Sequence, residues 1–265
     1  MLLGKCLHCS SSPLQVLRSH PVHQKMAQAG EGYALNCRGR TRPLPRTFPW
    51  PWSAKGGNVY IHCADTLHVP RPLRTDMLPI PMGCVHLSVS AGCGGTTWAL
   101  QQAKNILMQD SHVIWVCDNM PDGQRFSQIF KDLPPASLSR LHVSANGENT
   151  EFGVRSAAQF LTGLSNLGLV VVDNWAPKSG QAPSGLRDSM NILINTCDSN
   201  NIPLLAISAA YEDANNGGWK ARFGLENCEV WFLHKNAVDP TIRELHTDGS
   251  IVKYLLGDDG FSPRN

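Results

Sequence analysis

The residues with the clearest chemical potential form a Gly-rich turn, Ala91–Thr97, which is followed later in the chain by a carboxylate, Asp173. Small residues let consecutive backbone N–H groups point at one anion, and a helix that begins directly after the turn adds partial positive charge. A hydroxyl and a carboxylate beside such a turn are the usual partners of magnesium at a nucleotide site. The pattern indicates phosphate binding by Gly92, Cys93, Gly94, Gly95, Thr96 and Thr97, with Thr96 and Asp173 associated with Mg²⁺.

Two parts of a complete phosphate-binding loop are absent from this turn. In the signature G-x-x-x-x-G-K-[ST], Val89 stands at the first glycine and Gly95 stands at the lysine. That lysine normally places a full positive charge at the β- and γ-phosphates. No nearby lysine is expected to replace it, because Lys104 lies two helical turns further on. The loop should therefore bind anions through its backbone but stabilise phosphoryl transfer poorly, and restoring a lysine at position 95 should strengthen nucleotide binding.

Alternating apolar runs and helical patterns position these residues. Runs typical of buried parallel strands lie at Val85–Ser90, Val113–Cys117, Leu167–Val172 and Pro203–Ser208, with a shorter one at Leu141–Val143. Helices are predicted at 96–108, 153–164 and 186–195. Three late runs, 230–233, 242–246 and 251–256, predict antiparallel strands. The fold class is α/β, with a mainly parallel sheet covered by helices and a C-terminal antiparallel extension. Functional residues of such sheets lie at the carboxyl ends of the parallel strands.

The first 75 residues differ in composition from the rest of the chain. They carry ten Lys and Arg against Glu31 and Asp65, together with eight of the 18 prolines. Proline disfavours sustained helices and internal strands, and only Asn58–His62 looks like a strand. We interpret 1–75 as a basic, largely disordered segment and 76–265 as the core domain. A transit peptide is an alternative, and so is an upstream extension with Met26 or Met77 as the true start.

Apolar runs and cysteines bear on the compartment and on metal binding. No apolar run approaches the ~20 residues of a spanning helix, so no membrane partner is expected and the protein is placed in the cytoplasm, or in the nucleus of a eukaryote.

Cysteines in apolar or Gly-rich stretches are typical of buried thiols in a cytosolic protein; these are Cys84, Cys93, Cys117, Cys197 and Cys228. Cys6 and Cys9 have the gap of a zinc-binding pair, but no second regular pair completes four ligands. Zinc is therefore not expected.

The order of these motifs resembles that of the RecA/RadA recombinase superfamily, and most of all its archaeal RadB-type paralogues. Five stretches carry the resemblance: Ile80–Gln101, Val113–Asp118 with Gln124–Phe126, Asp173, Ile207–Tyr211 and Leu256–Phe261. It implies a RecA-like P-loop fold, weakly bound ATP and Mg²⁺, and a RadB-like accessory role in DNA recombination and repair. The implied partners are a RecA/RadA-type recombinase and single-stranded DNA.

Departures from the superfamily pattern concern the residues of ATP hydrolysis. The catalytic glutamate of the superfamily aligns with Asn119, although a one-residue shift would offer Asp118, and its switch glutamine aligns with Ala209 or Ala210. Loss of one positioned charged group typically costs ~3–4 kcal/mol of transition-state stabilisation. The chain is therefore interpreted as a degenerate ATPase with little or no turnover. The alternative is an active P-loop ATPase, RadA- or KaiC-like, that uses an atypical phosphate site.

Two loops correspond to those that face DNA in the recombinases. They are Trp175–Ser189 and Glu212–Phe223, and the resemblance implies DNA contacts by Lys178, Arg187, Trp219, Lys220 and Arg222. Cations of this kind bind phosphates and an exposed tryptophan stacks on a base. Because Glu212 and Asp213 dilute the positive charge, ordinary solvated loops remain the alternative interpretation.

Overall fold

The computed structural model describes residues 77–213 and 218–264. The predictions made for residues 1–75, including the strand-like Asn58–His62, the Cys6–Cys9 pair and the boundary after residue 75, lie outside the described residues. Within the described residues, no helix combines the length and the apolar character needed to cross a bilayer.

Strands and helices alternate through the first two thirds of the described chain. In chain order they are β1 (Cys84–Val89), α1 (Gly95–Met108), β2 (His112–Cys117), α2 (Gly123–Phe130), the one-turn α3 (Pro135–Leu138), β3 (Leu141–Ala145), α4 (Thr150–Phe160), β4 (Leu167–Asp173) and α5 (Ser184–Ser199). Only strands follow, namely β5 (Leu204–Asp213), β6 (Gly218–Ala221), β7 (Cys228–Lys235), β8 (Ile242–His246), β9 (Ile251–Gly257) and β10 (Gly260–Pro263).

Nine of the strands lie in one path in the order β10-β9-β8-β7-β1-β5-β4-β2-β3, and β6 pairs with β5. The strands from β7 to β3 are parallel, and those from β7 to β10 are antiparallel. The predicted class, a mainly parallel sheet with a C-terminal antiparallel extension, is confirmed. The four longer runs predicted as parallel strands are adjacent in the order β1-β5-β4-β2.

Helices cover both faces of the parallel region, as its uninterrupted aliphatic strands require. In β4, Leu169 and Val171 pack with α1 on one face. The alternate residues Val170 and Val172 pack with α4 and α5 on the other face. Because helices bury both faces of the parallel sheet, polar side chains of these strands can contact a ligand only at the strand ends. Asp173, the last residue of β4, is at such an end.

One prediction about the cysteines is wrong. Cys84 and Cys228 are not free thiols but form a disulfide. They are register partners at the start of the adjacent parallel strands β1 and β7, a pairing that their separation of 144 residues hides in the sequence. Cys93, Cys117 and Cys197 are free and buried as predicted. Burial raises the pKa of Cys117 and of Cys197 to about 12, so both remain protonated thiols at neutral pH.

Candidate functional site

The Gly-rich turn joins the carboxyl end of β1 to the N-terminus of α1. Gly92 and Gly94 have positive φ angles of 70° and 85°, which side-chain-bearing residues seldom adopt. At position 94 a side chain would also clash with its surroundings, because a Cβ there would lie 2.9 Å from Cδ2 of Leu256. No side chain caps the N-terminus of α1. Its first N–H groups, which have no intrahelical acceptor, are therefore available to an anion.

Cys93 lies in the middle of the turn, with its side chain directed into the protein. Its side chain is buried, and its Sγ lies 2.8 Å from Oγ of Ser90. Cys93 therefore presents its backbone rather than its thiol to a ligand. Behind it, Thr97 is also buried while Thr96 is half-buried, so Thr96 supplies the accessible hydroxyl.

Thr96 and Asp173 meet at this end of the sheet. The Thr96 hydroxyl donates a 2.9 Å hydrogen bond to Oδ2 of Asp173. The Asp173 side chain is 3% exposed, and its Oδ1 has no hydrogen-bond partner among the described residues. Burial raises the pKa of Asp173 to about 6, against the opposing effect of the Thr96 hydrogen bond, and the charge of Asp118 raises it further. A buried carboxylate with one unmatched oxygen next to a hydroxyl fits Mg²⁺, which favours oxygen ligands.

Asp118, the single catalytic candidate, follows the neighbouring strand β2. Cys117 is the register partner of Asp173, so Asp118 lies one residue beyond the same sheet edge. Its carboxylate accepts a 2.7 Å hydrogen bond from the backbone N–H of Asn119, while Asn119 itself is exposed. Of these two residues, Asp118 is the one whose charge reaches Asp173.

Val89 and Gly95, the two departures from the loop signature, contact one another. A Cβ on Gly95 would lie 2.7 Å from Cγ2 of Val89 and 3.2 Å from its Cγ1. The valine side chain therefore fills the space that the stem of a lysine at position 95 would need. In the sequence, the missing first glycine and the missing lysine look like independent substitutions. In the structure they depend on each other, because the side chain at position 89 occupies the space of a side chain at position 95. A lysine at position 95 alone is consequently not expected to reach the phosphates.

A lysine does lie beside the turn in space. Lys235, the last residue of β7, places its Nζ 3.9 Å from the position of a Cβ on Gly92. Strand β7 is held there by its pairing with β1 and by a 2.9 Å hydrogen bond from the Ser90 N–H to the Leu233 carbonyl. The expectation that no lysine lies near the turn is therefore wrong, and Lys235 is a candidate for the missing charge. Sequence reasoning missed Lys235 because nothing local indicates that β7 adjoins β1.

Replacing Lys235 with Gln is expected to weaken the binding of ATP with Mg²⁺ about 10-fold, since charge-assisted contacts are worth about 1.5–3 kcal/mol. Lys104→Gln is the matched control, because Lys104 lies on α1 about two helical turns beyond the turn and its Nζ is 3.8 Å from Oδ2 of Asp132. Equilibrium dialysis with labelled ATP measures both variants. Equal affinities for the two variants would mean that Lys235 does not reach the nucleotide.

The two predicted DNA loops follow β4 and β5. Lys178 is exposed, and its charge slightly lowers the pKa of Asp173. Arg187 is exposed on the first turns of α5. Trp175 is wholly buried and its indole N–H donates a 3.3 Å hydrogen bond to Nε2 of His86. Trp175 therefore cannot stack on a base.

The second DNA loop is partly a β-hairpin, because β6 pairs antiparallel with the end of β5. Trp219 is half-buried and its ring stacks on His234 with a centroid separation of 5.3 Å. Lys220 forms a 2.6 Å ion pair with Asp213. Arg222 is exposed and lies 5.9 Å from the Phe223 ring centroid. Of the three predicted contacts in this hairpin, only Arg222 is an exposed cation without an acidic side-chain partner among the described residues.

Solved structures that are similar in fold to this chain include a recombinase and a replicative helicase. A structure titled "Crystal structure of the RadB recombinase" is similar over 70% of this chain and 92% of its own, with a TM-score of 0.57 and 20% identity. The domain has a RecA-like fold. A structure titled "The Structure Of A DnaB-Like Replicative Helicase And Its Interactions With Primase" is similar over 72% of this chain and 63% of its own, with a TM-score of 0.50 and 11% identity. No family model and no curated protein matches the chain.

Proposed function

We propose that this RecA-like domain belongs to a RadB-like accessory protein of DNA recombination and repair, which binds nucleotide weakly and hydrolyses it little or not at all. The observation that supports this best is the contact between Thr96 and Asp173 beside an uncapped helix N-terminus. The structural similarity to a RadB recombinase favours recombination as the process.

Nucleotide binding in this proposal depends on the backbone of the turn. The N–H groups of the Gly92–Thr97 segment and the positive end of α1 attract the phosphates. Thr96 and Asp173 would hold Mg²⁺, which when bound neutralises phosphate charge. Lys235 adds a cation beside Gly92, in place of the lysine that the signature carries at position 95. A loop with these parts favours binding over catalysis.

Weak hydrolysis follows from the groups at the neighbouring strand ends. Ala209 is the register partner of Val89 and has no polar side chain to sense a γ-phosphate. Asn119 cannot act as a general base. Asp118 is a carboxylate, but its hydrogen bond to the Asn119 N–H occupies one oxygen. Few groups therefore remain to orient and deprotonate water.

An active ATPase with an atypical phosphate site is the second candidate, and the position of Lys235 favours it. The two candidates differ in turnover. For the accessory protein we expect measurable ATP binding with Mg²⁺ in equilibrium dialysis, and phosphate release at background. Asp173→Ala should abolish the magnesium dependence of binding. Robust release that Asp173→Ala abolishes would establish the second candidate, and no binding at all would contradict both.

The proposed partners are a RecA/RadA-type recombinase and single-stranded DNA. Co-purification of the full-length protein with such a recombinase, with and without ATP and Mg²⁺, tests the first. Asp173→Asn is the control variant, because it removes the metal-binding charge at nearly constant volume. Failure to retain any recombinase under either condition would contradict the partner assignment while leaving the nucleotide site untouched.

For DNA, we expect Arg222→Ala to flatten the salt dependence of single-strand binding by about 0.7 in the log–log slope, the value for one lost phosphate contact. Lys220→Ala should flatten it by less, because Asp213 already neutralises that ammonium. Trp219→Ala should weaken affinity with the slope unchanged, since stacking releases no counterions. Fluorescence anisotropy at several salt concentrations measures all three in the full-length protein, where the basic N-terminal segment contributes equally. Unchanged binding in every variant would assign DNA contact to that segment alone.

A further inference from the structure

Three side chains that commonly bind metals form a cluster in the antiparallel extension of the sheet. They are His234 on β7 and Glu244 and His246 on β8, and their donor atoms all lie within 4.8 Å of one another. The antiparallel register places Glu244 opposite His234 and His246 opposite Phe232, so all three side chains project from one face. The intervening residues Leu233 and Leu245 pack into the core on the other face.

The hydrogen bond of His234 leaves its second ring nitrogen ready for a metal. Nδ1 lies 3.0 Å from the backbone carbonyl of Lys235. Since a carbonyl only accepts, Nδ1 carries the hydrogen and Nε2 keeps its lone pair. Metal-binding histidines typically donate their other N–H to a carbonyl or a carboxylate in this way. The indole of Trp219 stacks on the ring at an interplanar angle of 19° and holds its plane.

Glu244 and His246 are spaced as ligands rather than as a hydrogen-bonded pair. Oε2 of Glu244 lies 3.4 Å from Nε2 of His246, beyond the usual 2.7–3.2 Å of an N–H···O bond. Two ligands about 2.05 Å from a tetrahedral ion are about 3.3 Å apart. The other oxygen, Oε1, accepts a 2.7 Å hydrogen bond from Nδ2 of Asn236 and lies 3.6 Å from Nζ of Lys253. These contacts orient the carboxylate and leave Oε2 directed at His246.

The cluster is accessible from solvent on the side of His246. The His246 side chain is 35% exposed and that of Glu244 is 13% exposed. An ion can therefore enter from solvent and find a negatively charged ligand.

We propose that His234, Glu244 and His246 bind one Zn²⁺ ion. Two imidazoles and one carboxylate suit zinc better than the hard cations Mg²⁺ and Ca²⁺, which favour all-oxygen sites. The donor atoms lie within 4.8 Å of one another, up to about 1.5 Å more than in a tetrahedral site, so small side-chain rotations bring all three to one ion. Three protein ligands leave the fourth position to water or to an external ligand. This site is separate from the Thr96–Asp173 pair and does not depend on nucleotide binding.

The test is a titration of chelator-treated, full-length protein with ZnCl₂ in competition with a colorimetric chelator. It is done in a Cys6→Ser/Cys9→Ser background, because those two thiols have the sequence spacing of a zinc-binding pair. We expect one equivalent of zinc to bind, and we expect Glu244→Gln and His246→Gln each to weaken this binding about 10-fold or more. Zinc should also raise the melting temperature of the parent but not of either variant.

His142→Gln is the matched control, because His142 also lies next to a second histidine on a sheet strand, with 2.9 Å between its Nε2 and Nδ1 of His112. This control should keep the full equivalent of zinc. Co²⁺ provides a second measurement that does not depend on stability, since a site of nitrogen and oxygen ligands gives visible absorption without a thiolate charge-transfer band. Absence of zinc binding by the parent, or equal binding by the parent and the Glu244→Gln and His246→Gln variants, would overturn the proposal.

Discussion

Asp173→Asn is expected to raise the free energy of unfolding at pH 7, without divalent cations, by up to about 3 kcal/mol. The reason is the burial of an ionised carboxylate with one unmatched oxygen. Its pKa in the folded protein is about 6 against an ordinary value of 3.8, and each unit of such a shift corresponds to about 1.36 kcal/mol. Asparagine keeps the shape of the side chain and can accept the Thr96 hydrogen bond, but it carries no charge.

The sign of this effect fixes its pH dependence. A carboxylate whose pKa is raised by folding destabilises the fold in full above pH 6, and the penalty disappears as pH falls from 6 to 3.8. The advantage of Asp173→Asn should therefore be largest at pH 7 and above, and should shrink towards pH 4. His86 works in the opposite direction, because burial lowers its pKa to about 4. Its contribution is common to both proteins and cancels in the difference.

Urea denaturation of both proteins between pH 4 and pH 8 measures this difference. Asp118→Asn is the control, since its carboxylate is half-buried and its charge raises the pKa of Asp173; its removal should shift the pH dependence to lower pH. Adding MgCl₂ should stabilise the wild-type protein but not Asp173→Asn, because a ligand that binds only the folded state adds stability. An Asp173→Asn variant less stable than wild type at pH 8 without divalent cations would contradict the assignment.

The sequence is sufficient to predict the features that depend on local pattern. Residues 167–172 are a continuous aliphatic run, so a buried parallel strand follows from composition alone. Because the carboxyl ends of parallel strands share one edge, the approach of Asp173 to Thr96 is also predictable. These are the parts of the fold and of the site that the structure reproduces.

Features that depend on the position of β7 could not be predicted. Strand β7 starts 144 residues after the start of β1, at Cys228 against Cys84, yet pairs with β1 from Cys84 to Val89. That pairing creates the Cys84–Cys228 disulfide and places Lys235 beside the Gly-rich turn. The burial of Trp175 also escaped prediction, since its hydrogen-bond partner His86 lies on β1, far from it in the chain. In each case the contact joins two segments that are distant in the chain, and the local sequence of neither segment predicts that they are neighbours.

The coupling of Val89 and Gly95 gives the second large expected effect. Gly95→Lys alone should destabilise the protein by about 1–3 kcal/mol, the usual cost of inserting atoms into a packed site, because its Cβ would lie 2.7 Å from Cγ2 of Val89. It should bring little gain in ATP affinity. Val89→Gly removes that obstacle and restores the first glycine of the signature. Alone it should also destabilise, since it removes a packed side chain from the end of β1.

The double variant Val89→Gly/Gly95→Lys should be more stable than the sum of the two single changes predicts, with an interaction energy of about 1–2 kcal/mol. A lysine that reaches the phosphates should also tighten ATP binding about 10- to 100-fold, by the strength of a charge-assisted contact. Backbone strain does not prevent it, because Gly95 is not among the glycines with positive φ. A double-mutant cycle measured by urea denaturation and by equilibrium dialysis gives both quantities.

Additive stabilities would show that Val89 does not block position 95. Unchanged ATP affinity in a stable double variant would instead show that the nucleotide phosphates do not lie over this turn. Turnover should stay near background even in the tight-binding double variant, because Asn119 and Ala209 are unchanged and neither side chain can deprotonate water.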